Sequence, residues 1–162
     1  MKKLYIILAL LAVSVAAFAQ NGRSLYNKYS DYADVEAVYI SPAMFRLMGK
    51  IPDMELQDGS VNLGPIVQKL TGLYILSIAR EDIAAELTDD VNRFIQKGHY
   101  ELLMEAKENG EVMRLYTVGD EQIVNSLVML AREANETSFI CLDGDMPREQ
   151  LENLIAEAAA KE

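Results

Sequence analysis

Residues 100–118 read YELLMEAKENGEVMRLYTV, and the Asn109-Gly110 pair near their centre decides the fold. Both residues tolerate positive φ, so a two-residue turn of the primed type joins Tyr100 to Glu108 with Glu111 to Val118 as a β-hairpin. With that turn Ala106 faces Met113, Met104 faces Leu115 and Leu102 faces Thr117, while the other face pairs Glu105 with Arg114 and Leu103 with Tyr116. One face is apolar and the other mixed. This predicts a sheet covered on one side, with Ala106, Met104 and Leu102 turned toward the helices.

Downstream, Ile123 to Ala131 and Ser138 to Asp143 read as two further strands joined near Asn135-Glu136. Arg148 to Ala159 reads as a closing helix with Leu151, Leu154 and Ile155 inward. Upstream, Val35 to Ile40 has the branched and aromatic character of a strand. It runs directly into Ser41-Pro42-Ala43-Met44-Phe45-Arg46-Leu47-Met48-Gly49, a short helix with a serine cap, proline at its first position and glycine to close it. Gly49 to Gly64, with three glycines and sparse apolar residues, reads as one long loop.

Pro65 to Leu70 suggests a helical turn, as do Leu25, Tyr26 and Tyr29 near the start. Leu73 to Ala79 reads as a fully buried strand, because both alternating faces are largely apolar. Asp82 to Gln96 is an amphipathic helix with Ile83, Leu87, Val91, Phe94 and Ile95 on one face, ended by Gly98. The order β-α-β-α-β-β-β-β-α predicts a two-layer α+β domain, a mainly antiparallel sheet with helices packed on one face.

Lys2 and Lys3, the apolar run Leu4 to Val15 and Ala17-Phe18-Ala19 before Gln20 follow the order of a cleavable signal peptide. The run is shorter than the roughly 20 apolar residues a membrane span needs. The expectation is a signal peptide over residues 1–19 and one globular domain over 20–162, periplasmic or secreted, with no membrane span. No cysteine stands at the cleavage site to carry a lipid anchor. Without residues 1–19 the chain has 143 residues, with 13 basic against 25 acidic side chains and a net charge of −12. Dispersed and outnumbered basic residues make nucleic acid an unsuitable partner.

Cys141, the only cysteine, lies in the apolar run Phe139 to Leu142, so there is no internal disulfide. It reads as a buried small hydrophobe rather than a reactive thiol, with serine expected to be a worse replacement than alanine. His99 is the only histidine; a Cys-His dyad requires it within hydrogen-bond reach of Cys141, whereas its place after Gly98 reads as a helix end. Asp143-Gly144-Asp145 could offer calcium oxygens but lacks the further spaced ligands of a calcium loop, and reads better as a turn capping the last helix. Asp89 with Asp90, and Glu81 with Asp82, are neighbours about 100° apart on a helix and read as a solvated face. Asn135-Glu136-Thr137 matches a glycosylation sequon, uninformative behind a bacterial export signal. Tyr26, Tyr29, Tyr32 and Tyr39 crowd the N-terminal part, as half-buried core edges or a contact surface.

Tyr29-Ser30-Asp31 with Val38 to Phe45, then Gly98 to Glu105, and finally Leu142-Asp143-Gly144-Asp145 resemble the family of exported bacteroidete proteins known as domain of unknown function 4252. The likeness covers nearly all of the chain after residue 19. It implies export and the fold, and no catalytic residue.

Export and the lack of a catalytic constellation point to a non-enzymatic binding or regulatory module for an envelope protein or small ligand. The alternative, a carboxylate-based hydrolase or metal-dependent enzyme, requires several acids converging in one cleft. The sequence assigns no catalytic residue, no metal ligand and no cofactor, and leaves the oligomeric state open.

Overall fold

The computed structural model describes residues 21–48 and 64–159. Asn21 opens α1 (Gly22–Tyr29) by accepting the Ser24 amide on its side chain at 3.1 Å, which satisfies one of the free N–H groups of a first turn. β1 (Val35–Ile40) runs into α2 (Pro42–Met48), and the Ser41 hydroxyl accepts the Met44 amide at 3.3 Å. Serine cap and first-turn proline therefore sit where the sequence places them. The closing Gly49 and the expected loop, up to residue 63, lie outside the described residues.

α3 (Gly64–Val67) is a single turn, and Leu70, expected to end it, instead begins β2 (Leu70–Ile78). There follow α4 (Glu81–Lys97), β3 (Glu101–Glu108), β4 (Glu111–Gly119), β5 (Ile123–Arg132), β6 (Thr137–Pro147) and α5 (Arg148–Ala159). The strands form one sheet in the order β1-β2-β6-β5-β4-β3, every neighbouring pair antiparallel. The fold is the expected α+β domain with an antiparallel sheet.

Two clusters hold it together. α1 and α4 cover one face, the inner face, where Leu25, Tyr29, Ile83, Leu87, Val91 and Phe94 pack on Leu76, Ile78, Val128, Phe139 and Cys141. A smaller cluster caps one end of the opposite, outer face: Phe45, Ile66 and Val67, with Leu151 of α5, pack around Leu70, Leu73, Leu127 and Leu142. Of the inward residues expected on α5, Leu151 packs against this cluster, and the side chains of Leu154 and Ile155 lie outside the described residues.

The hairpin turn is as expected, with positive φ at both Asn109 (51°) and Gly110 (90°), the backbone that two-residue loops use to match strand twist. Ala106 faces Met113, Glu105 faces Arg114 and Met104 faces Leu115. The rest of the expected register is wrong. A bulge between Leu102 and Met104 makes Leu103 an extra residue, so Leu102 faces Tyr116 and Glu101 faces Thr117, as happens when two residues oppose one.

The expected burial of this strand is also wrong. β3 is the edge of the sheet and exposed along its whole length, and Met104 and Ala106 point away from α1 and α4. Asp143-Gly144-Asp145 is not a capping turn either. β6 continues through it to Pro147, because the Asp145 amide is bound by the Lys69 carbonyl at 3.1 Å, and the Arg148 amide by the Gln122 carbonyl at 2.9 Å.

Candidate functional site

Two adjacent rows of residues cross all six strands, one on each face. On the inner face the row runs Tyr39, Tyr74, Cys141, Val128, Tyr116, Leu102. Tyr74, Cys141 and Val128 are buried under α1 and α4. One residue along each strand, the outer row runs Val38, Ile75, Ile140, Met129, Leu115, Met104. All six are apolar, and among the described residues none belongs to either buried cluster. The two ends are open, with Val38 47% and Met104 45% exposed, and the four between are half-buried. With strands about 4.8 Å apart, the row is an apolar band about 24 Å long. Sheet faces of this composition are normally covered by a second layer.

Charge is segregated around the band. Glu36 faces Ser77, Glu101 faces Thr117 and Glu108 faces Glu111, all on the outer face by strand alternation. The Glu136 carboxylate reaches the same side, where it accepts the hydroxyls of Ser77 and Ser138. The strands' basic residues, Lys107, Arg114 and Arg132, all fall on the inner side: Arg114 faces the core residue Leu130, and Lys107 and Arg132 both flank Val112. Arg114 pairs there with Glu105 at 2.7 Å, as the register implies.

The candidates read from sequence do not assemble into a catalytic centre. Cys141 is fully buried, and burial first, then the nearby Asp143 charge, push its thiol well above the ordinary range. Its sulfur lies 3.3 Å from an Asp143 oxygen and 3.6 Å from the Ser126 hydroxyl. A Cβ on Gly22 would run into that sulfur, so the glycine lets the start of α1 sit directly on β6. His99 is exposed in the turn after α4 and has no hydrogen bond to Cys141. Among the described residues no three His, Cys, Asp or Glu side chains are grouped to hold a metal ion.

The neighbouring acids on α4 point apart. Asp82 is bridged by Arg80 through two hydrogen bonds of 2.7 and 3.0 Å. Asp90 accepts the buried Tyr29 hydroxyl at 2.7 Å, together with Lys28 and Arg93. Burial works against its charged form, but these three hydrogen bonds outweigh it and hold the carboxyl at about 2. This knot ties α1 to α4.

Glu81 and Asp89 instead line a cleft of about 710 Å³ between α4 and the turn joining β5 to β6, with Arg132, Glu133, Asn135 and Glu136. The acids that line it, Glu81, Asp89, Glu133 and Glu136, are all exposed, and the Glu136 carboxylate is turned to Ser77 and Ser138 on the outer face, the opposite of the dry settings in which acid–base pairs are built.

The tyrosines mostly seat α1. Tyr39 and Tyr74 stack at 5.2 Å, and Tyr26 tilts onto both. Tyr29 is buried, and Tyr32 stacks on it at 5.9 Å from the surface.

Sequence reasoning missed the outer band, although its signal was present. Leu73 to Ala79 is apolar on both alternating faces, a pattern that reads as burial of both. Ile75 is the band residue that this reading concealed.

The family model described as "Domain of unknown function (DUF4252)" matches residues 29–154. Neither a curated protein nor a solved structure matches the chain. Among the described residues no helix is long and apolar enough to cross a membrane.

Proposed function

The chain belongs to this family of unknown function, and from that premise we propose that it is an exported bacteroidete envelope protein, a non-enzymatic binding module. The observation that carries the binding reading is the outer band: six apolar side chains in one row, outside both buried clusters. Contiguous apolar surface rimmed by charge is the usual mark of a contact site. Support for export comes from the Lys2-Lys3 start, the apolar run and Ala17-Phe18-Ala19, which put the mature start at Gln20 in the periplasm or outside the cell.

The test is a photoreactive residue placed at Met104 or Met129 in cells expressing the full chain, with exposed Gln96 of α4 as the comparison. A discrete adduct with another molecule from the band positions alone is the expected result. No adduct, or the same adducts from Gln96, would contradict it.

Among the described residues, the acid-lined cleft is the feature that favours a carboxylate-based hydrolase or metal-dependent enzyme. That reading requires Glu133→Gln or Asp89→Asn to abolish an activity while leaving stability unchanged.

A further inference from the structure

We infer that the outer band seats a cationic amphipathic helix of a partner protein, its apolar stripe on the row from Val38 to Met104 and its lysines or arginines against the surrounding glutamates. The inference rests on the binding reading above and adds the chemistry of the partner.

Three observations select this occupant. The first is charge. Every charged residue that the strands place on the outer face is a glutamate, Glu36, Glu101, Glu108 and Glu111, and every strand-borne cation is on the inner side. A partner that buries the band brings its flanks against those carboxylates, and a basic flank is attracted where an acidic one is repelled. A second copy of this chain is the acidic case. The protein carries −10 overall, and a two-fold contact through this face sets glutamates against glutamates.

The second is shape. The band crosses the strands at right angles, so side chains rather than a free strand edge must make the contact. An amphipathic helix offers such a stripe, and about 16 residues at 1.5 Å each match the roughly 24 Å between the two edges. The third is composition. Met104 and Met129 lie in the row and Met113 beside it, and unbranched, polarisable side chains adapt to a knobbed helical surface.

The test uses the full chain purified after export and a dye-labelled 16-residue peptide of leucine and lysine patterned as an amphipathic helix, read by fluorescence anisotropy. A leucine–glutamate peptide of the same pattern is the counterpart. Saturable binding of the lysine peptide alone is expected, weakened at least tenfold by Met104→Lys. Gln96→Lys, the same charge change at an exposed position of α4, should alter it less than twofold.

Equal weakening by both variants would show that net charge alone attracts the peptide and overturns the inference. So would equal binding of the glutamate peptide, or a dimer in sedimentation that Met104→Lys disperses. Circular dichroism checks each variant, and Val38→Lys at the opposite edge replaces Met104→Lys if that chain fails to fold. A band-specific cross-link without binding of the lysine peptide defeats the partner's chemistry alone; the absence of both defeats the binding reading too.

Discussion

Leu76 and Ile75 are neighbours on β2, yet they belong to different worlds. Leu76 is sealed between Leu87, Phe139 and the rest of the inner core, whereas Ile75 is second in the row of the outer band and only half-buried. Both are aliphatic, with the same strand and nearly the same pairing. Among the described residues the difference is made by α1 and α4, which cover one face, while α2, α3 and α5 cover one end of the other. Apolar composition alone therefore does not say that a residue stabilises the fold.

The sharpest break in that comparison is a pair of truncations. Leu76→Ala empties a site closed on all sides and should cost about 3–4 kcal/mol, whereas Ile75→Ala should cost about 1 kcal/mol, since much of its surface already meets water. Urea unfolding of the two variants measures both. Comparable losses would mean that the outer face is covered like the inner one.

Gly22→Ala probes how tightly the inner layer is seated. The new methyl meets the Cys141 sulfur, so a loss of about 2 kcal/mol is expected, partly recovered when Cys141→Ala is added in the same chain. Additive losses would show that the two residues do not touch. The environment of Cys141 also reverses the order expected from sequence. Ser126 and Asp143 offer a serine hydroxyl the partners that an apolar strand would not, so Cys141→Ser should be milder than Cys141→Ala.

The Asp90 knot is the polar part of the inner layer. Its carboxyl is held at about 2, below the ordinary aspartate value of about 3.9. A depressed folded value contributes stability that is complete above about pH 4 and is lost as the pH falls through about 2. Asp90→Asn should cost about 1–2 kcal/mol near neutrality, as expected for hydrogen bonds to a charged group. The gap to the unmodified protein should close between pH 4 and 2 in acid-titration melts. A gap that persists at pH 2 would assign the loss to packing.

Gly110→Ala, at the tip of the exposed hairpin, should cost about 1 kcal/mol, because the turn's left-handed backbone disfavours a side chain. An unchanged melting temperature would mean that the hairpin tip is not held in the native turn.

What the sequence made legible divides along the same line. Local chemistry was readable: β1 and α2 fall on the expected residues, Asn109-Gly110 makes the expected turn, and the apolar stripe of α4 is the stripe that packs. The features that needed long-range information were not. Nothing in Leu102-Leu103-Met104 announces a bulge or an edge position; the edge follows from a strand order that leaves β3 outermost, and the bulge shows only in its pairing with β4. Asp143-Gly144-Asp145 has turn-forming residues, but β5 and the start of β2 pair it as strand on both sides. The outer band was hidden for the same reason, since an apolar second face looks alike whether a layer covers it or not.

The central claim is that solvent reaches the band in the isolated protein while Tyr74, Cys141 and Val128, one residue away on β2, β6 and β5, are sealed. Methionine methyl resonances test this directly, because Met104 and Met129 lie in the band and Met146 is fully buried in the smaller cluster. A soluble nitroxide relaxes nuclei that solvent can reach. Strong broadening of the Met104 and Met129 methyls with Met146 unaffected is the predicted result; protection of Met129 equal to that of Met146 would contradict it.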